Sequence, residues 1–167
     1  YSFPLTVGWA RDSRNSAIMP TEGRFYRANG EISALGDLQF VRLNLQMQQY
    51  LELPYNLTLG LNGEVGWGFG LGSRPYPVFK NFYSGGLGSV RVFQQNSLGV
   101  IDPTGAFVGG TRKMNGNGEL YIPVPGMGND KSLRFFAFLD IGNAWGEDQS
   151  VTWGSMRAST GLGISWI

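Results

Sequence analysis

The chain predicts an all-β fold, an antiparallel sheet of about seven strands, and three observations carry that prediction. Stretch after stretch alternates between apolar and polar residues, the period of a strand with two unlike faces. The composition is rich in glycine (26 of 167 residues) and aromatics (14%) and poor in charge (15%). No run of eighteen or more apolar residues exists, so no transmembrane helix is encoded and any membrane role falls to strands.

Taken in chain order, weak alternation covers Leu5 to Trp9 and Arg24 to Ala34. A clearer run sets Val41, Leu43, Leu45 and Met47 against Arg42, Asn44, Gln46 and Gln48. The strongest extends from Asn56 to Leu71. Its odd positions, Leu57, Leu59, Leu61, Gly63, Val65, Trp67, Phe69 and Leu71, contain every large apolar side chain of the run, and its even positions contain none. Weaker runs follow from Thr111 to Ile122 and from Leu133 to Trp145. A last run from Met156 to Trp166 sets Met156, Ala158, Leu162, Ile164 and Trp166 against Arg157, Ser159, Gly161, Gly163 and Ser165.

Turns are expected at Leu35-Gly36-Asp37, Pro54-Tyr55, Pro123 to Asp130 and Gly146 to Ser150. The dipeptides Asn62-Gly63 and Asn115-Gly116 are hairpin signals in isolation. A break at 62 would orphan eight pairs of alternating residues, so both are read as strand. The stretch from about 72 to 108 is too long for a hairpin connection, and loops of that length are usually functional or disordered.

Periodicity does not say which face meets water, and a soluble sandwich, a ligand-binding barrel and a membrane barrel all alternate. Three features tilt the reading towards a membrane barrel. Arg27, Glu31, Arg42, Glu64, Glu119, Arg134, Asp140 and Arg157 all fall opposite the apolar stripe. Trp9, Trp145 and Trp166 stand at run ends, and the runs approach the 9 to 11 residues of a spanning strand. Gly60, Gly66, Gly68, Gly70, Gly161 and Gly163 share the polar face, which implies that something bulky approaches it from inside.

Composition also excludes. With 13 basic and 12 acidic residues and a net charge of +1, no basic stripe for nucleic acid exists. With neither Cys nor His, there is no disulfide frame, no thiolate nucleophile and no Ser-His design. No enzyme, cofactor or metal is expected. Asp140-Ile141-Gly142-Asn143 offers one carboxylate, too few for a calcium loop. Gly85-Gly86-Leu87-Gly88-Ser89 lacks the lysine that a phosphate loop places after its last glycine, and Glu147-Asp148 reads as a solvated hairpin.

The long loop carries the most specific segment, Asn81-Phe82-Tyr83-Ser84-Gly85-Gly86 followed by Ser89-Val90-Arg91-Val92-Phe93. An arginine is always charged, and a loop that presents one at a water-lined sheet needs a carboxylate to receive its fork of donors. These residues resemble the loop signature of the BamA family of outer-membrane protein assembly factors, in the bacterial surface antigen superfamily that also contains two-partner secretion transporters. Pro20-Thr21-Glu22-Gly23-Arg24 is similar to a turn of that family. Gly118 to Pro125, Phe135 to Asn143 and Met156 to Gly163 are similar to three of its strands, so the resemblance covers nearly the whole chain.

That resemblance implies a transmembrane β-barrel, of which residues 1–167 are a C-terminal fragment. The fragment would supply about seven of sixteen strands, with the loop folded inward and the periplasmic repeat domains absent. The chain begins at Tyr1 without Met and stops within an alternating run, and it too is expected to be a piece of a longer protein. The resemblance further implies that a loop latch of Arg91, Val90, Phe93, Gly85 and Gly86 docks on wall partners Asp140, Glu119 and Gly142. Arg91 would pair with both carboxylates, which the alternation independently assigns to the inner face.

The implied setting is the Gram-negative outer membrane, with nascent outer-membrane proteins, accessory lipoproteins and outer-membrane lipid as partners. A two-partner secretion transporter, a passive porin and a soluble ligand-binding barrel are the alternatives. Phe82, Tyr83 and Phe93 are expected to pack the loop. Where the family has glycine after the arginine, this chain has Val92, and negative φ is expected there because β-branched residues avoid the left-handed region.

Overall fold

The structure, a computed structural model, describes residues 1–124, 126 and 133–166. Seven long strands form one sheet: β1 (Ser2–Asp12), β2 (Gly23–Gly36), β3 (Phe40–Leu53), β4 (Leu57–Gly70), β7 (Arg112–Pro123), β8 (Leu133–Trp145) and β9 (Arg157–Trp166). Their order is β1-β2-β3-β4-β7-β8-β9, and every neighbouring pair is antiparallel. The connection from β4 to β7 carries two further short strands, β5 (Val100–Ile101) and β6 (Phe107–Gly109), which pair with each other.

The first three strands extend their sequence runs at both ends, the others lie within one residue of theirs, and the expected Leu133–Trp145 is matched at both ends. Both Asn-Gly dipeptides lie within strands, and the register sets them against each other: Asn62 faces Asn117, Gly63 faces Gly116 and Glu64 faces Asn115. The short connections include residues 37–39 and a turn at Pro54–Asn56. The turn expected from Pro123 to Asp130 lies largely outside the described residues.

Residues directly opposite in an antiparallel pair share a face, so the register maps both surfaces. One row reads Trp9, Ala28, Leu45, Val65 and Met114, and another reads Gln48, Asn62, Asn117, Asp140 and Ser159. The apolar face is bare, with Leu45 56% and Leu162 85% exposed. A contiguous apolar surface of this extent marks a partner or a membrane rather than water. Arg11, Arg24 and Arg112 join that face by register, yet all three stand near strand ends, clear of its middle.

The core lies on the other face. Phe40, Tyr76, Phe82, Val90, Leu98, Ala144 and Trp145 are buried where residues 71–111 fold over the inner side of the sheet or cover its rim. The inner-face glycines make room in two ways. Gly66 and Gly68 receive the rings of Phe82 and Tyr76 from the loop, and Gly70 receives the Arg74 backbone. Gly60, Gly161 and Gly163 instead lie under tyrosine or phenylalanine rings of adjacent strands. Leu45→Arg, in the middle of the bare face, is expected to cost about 2–4 kcal/mol in a bilayer. Gln46→Arg, on the inner face, should cost far less. Denaturant unfolding of each variant in lipid vesicles checks the difference, and equal costs would remove the assignment of faces.

Candidate functional site

The site forms where the tip of the loop meets β7 and β8. Gly85 and Gly86 adopt φ of 101° and 97°, conformations that other residues reach only with strain, and they reverse the chain after Ser84. The Gly86 amide donates to the Val90 carbonyl at 3.0 Å, and the Ser89 amide to the Gly86 carbonyl at 3.0 Å. The Gly85 amide donates to Ser89 Oγ at 2.7 Å. This compact turn presses Val90, fully buried, onto Gly142, where an added Cβ would stand 2.9 Å from the Val90 side chain.

Arg91 follows at once. Its Nε donates to Asp140 Oδ2 at 2.7 Å and its Nη2 to Asp140 Oδ1 at 2.6 Å, a two-pronged fork. Its backbone amide also donates to Oδ2, at 2.9 Å, while Nη1 reaches Glu119 Oε1 at 2.5 Å. The guanidinium carbon stands 3.9 Å from the centroid of the Phe138 ring, adding cation–π attraction. The hydrogen bonds to Asp140 and the charge of Glu119 push the Arg91 guanidinium further up from its ordinary value, against the opposing effect of burial. Arg91 is a cation at every relevant pH.

Asp140 is completely buried. A lone carboxylate there would be prohibitive, but this one accepts from Arg91 and from Asn117 Nδ2 at 2.9 Å. Asn117 also donates to the Ser89 carbonyl, so it ties the carboxylate to the loop from the wall side. Glu119 is less enclosed and shares its second oxygen with the Tyr121 hydroxyl.

The sequence reading missed Asn117, Tyr121, Phe136 and Phe138. The first two share the strand parity of Glu119 and the other two that of Asp140, so counting by twos from the carboxylates would have found them. The Phe135-Phe136 pair hides that parity by putting an aromatic on each face. Phe93, expected to anchor the loop, is half-buried, and Tyr83 is partly exposed.

Val92 corrects an expectation. Its φ is 76°, not negative. The backbone and side chain of Arg91 both commit to one carboxylate, and the chain turns away immediately afterwards. The Val92 side chain, 82% exposed, meets no steric wall, so the cost is confined to its own backbone.

The Omp85 superfamily domain matches residues 2–167. The chain belongs to the Omp85 superfamily. It is 39% identical over 146 residues to the outer membrane protein assembly factor BamA of Neisseria meningitidis serogroup B, covering 84% of this chain and 18% of that one. It is 31% identical over 138 residues to the sorting and assembly machinery component 50 homolog of Homo sapiens, covering 79% and 29%. The chain thus spans 18% to 29% of the length of these two relatives. The crystal structure of BamA from Haemophilus ducreyi lacking POTRA domains 1–3 superposes with a TM-score of 0.87 at 22% identity, covering 99% of this chain and 36% of that one. That likeness gives the fold, the wall of a β-barrel, and the likeness to BamA read from the residues is borne out.

Three substitutions test this Omp85 site. Asp140→Ala should cost about 3–5 kcal/mol, because it strands a half-buried guanidinium. Glu119→Gln should cost about 1 kcal/mol, since it removes the charge of a partly solvated partner while leaving an acceptor oxygen. A double-mutant cycle in the protein in lipid vesicles checks the ranking, and a larger Arg91–Glu119 than Arg91–Asp140 coupling would invert it. Val92→Gly should stabilise the closed loop by about 1 kcal/mol by relieving positive φ, net of glycine's added freedom when unfolded. Unfolding midpoints of the two proteins measure it.

Proposed function

We propose that the chain is part of the barrel of an outer-membrane protein assembly and insertion machine, in which the Arg91 loop braces the inner wall. The observation that carries this reading is the fork from Arg91 to buried Asp140, with Glu119 as second acceptor, at the loop signature of the BamA family. The names of the Neisseria and human relatives support the assembly role, and the bare apolar face supports a setting in the Gram-negative outer membrane.

In this reading residues 1–167 are a C-terminal portion of a sixteen-stranded barrel whose periplasmic repeats lie elsewhere in the parent protein. Nascent outer-membrane strands fold into the bilayer beside a wall kept in shape by the loop, through transient strand pairing. Accessory lipoproteins would complete the assembly. The work is conformational, so no nucleophile or general base is assigned, in keeping with relatives named as assembly components.

The test is folding of client barrels into vesicles by the full-length parent. Arg91→Ala and Asp140→Ala should each slow it by more than about tenfold, since the first leaves buried Asp140 without its cation and the second leaves Arg91 with Glu119 alone. Rates equal to the wild type in both variants would remove the bracing role. Conductance with size-selective solute flux, and no client folding, would favour a porin instead. Export of a single dedicated polypeptide would favour a secretion transporter.

A further inference from the structure

The inner face carries a second loop-binding feature, some distance along the sheet from the carboxylates. On β4, Gly66, Gly68 and Gly70 follow one another at the strand period, and none has positive φ. Their backbone does not require glycine, so space does. A Cβ at Gly66 would stand 2.6 Å from the Phe82 ring. That ring is 3% exposed, sunk into the notch over the strand.

Two cations flank the ring: the Arg42 guanidinium carbon is 4.3 Å and Lys113 Nζ 6.0 Å from its centroid. Each has a second tie. Lys113 pairs with Glu64 at 2.6 Å, and Arg42 Nε donates to the Lys80 carbonyl at 3.2 Å. Lys80 in turn pairs with Glu31 at 2.6 Å. The base of the loop is thereby fastened across β2, β3, β4 and β7.

From this notch a continuous line of contacts leads to the tip. Phe82 exchanges backbone hydrogen bonds with Gly110 at 2.8 and 2.9 Å. Ser84 Oγ donates to Asn115 Oδ1 at 2.7 Å, and two residues further along β7 Asn117 holds the Ser89 carbonyl. Each step fixes the next, and nine residues after Phe82 the chain delivers Arg91 to Asp140.

We propose that Phe82, seated in the Gly66 notch between Arg42 and Lys113, is a positioning residue for the arginine latch: it sets where residues 84–90 run and so aims Arg91 at its carboxylates. The ring contacts of Phe82 are to Arg42 and Lys113, and its backbone pairs with Gly110. The inference rests on the proposed bracing role only for its consequence in client folding, and its test does not use clients.

The test is limited trypsin cleavage of the full-length parent in lipid vesicles, with cleavage at the Arg91–Val92 bond followed by mass spectrometry. Barrel integrity is checked in parallel by heat-modified gel mobility. A latched Arg91 is a poor trypsin site, and cleavage there reports the open population. Asp140→Ala, the positive control, should raise cleavage by about tenfold or more. Phe82→Ala should raise it to a similar degree, and so should Gly66→Ala, whose methyl expels the ring.

The Gly66→Ala/Phe82→Leu pair, which restores fit in the notch, should return protection to near the wild-type level, an outcome that general destabilisation would not produce. Should Phe82→Ala fail to fold, Phe82→Leu and the compensating pair decide the matter. Wild-type protection in every folded Phe82 and Gly66 variant, while Asp140→Ala exposes the bond, would overturn the proposal. Exposure without compensation in the pair would do the same. Exposed Arg91 in the Phe82 variants together with normal client folding by Asp140→Ala would leave this inference standing and remove the bracing role.

Discussion

The ion pair between Arg91 and Asp140 joins parts of the chain 49 residues apart, and the buried side of the sheet is organised around it. The carboxylate has given up all contact with solvent and takes four donors in exchange, three from Arg91 and one from Asn117. Such a site is exacting in geometry, since a fork and a backbone amide must arrive together. A lysine could supply the charge but not the fork. The strained φ at Val92 is a local consequence of that demand: the chain accepts a poor backbone conformation beside the contact it cannot forgo.

A sheet that turns its apolar residues outward has no core of its own. Soluble sheets bury apolar side chains against a second layer. Here the second layer is the loop, and it meets a face built from amides, carboxylates, glycines and scattered aromatics. The glycines on β4 are what let rings such as Phe82 and Tyr76 approach a polar wall closely enough to be buried. The amides do complementary work, since Asn62 donates to Asn117 at 2.9 Å and Asn117 to Asp140, so the strands beneath the loop are cross-linked at the level where Arg91 docks.

Much of this was legible in the chain because a period of two is a strong constraint. Slipping one residue would move every side chain to the wrong face, so an alternation of eight pairs outweighs an Asn-Gly dipeptide within it. The same parity assigned Asp140 and Glu119 to the inner face, and the glycines announced that bulk would approach there. Other features were hidden for identifiable reasons. Phe136 and Phe138 sit on the face that the pattern marks as polar, where a tyrosine and two strand glycines accommodate them. The β5–β6 ribbon is too short to show a period. The φ of Val92 is set by what its neighbour touches across space, and local preference, which argued for a negative angle, lost to a long-range contact.

Why a charge pair should fasten this loop, rather than more apolar packing, follows from the surroundings. Apolar groups of the same volume often match or exceed a buried ion pair in stability, so stability alone is a weak reason for one. An apolar plug on a polar wall, however, has no preferred register; it gains nearly as much one strand along. The fork of Arg91 finds its acceptors at one place on this wall, with Glu119 on the next strand as a second acceptor and Phe138 under the guanidinium. Phe82, buried in its notch, contributes apolar contact at the base of the loop, whereas Arg91 fixes the tip on its carboxylates. The two together combine adhesion at the base of the loop with a fixed address at its tip.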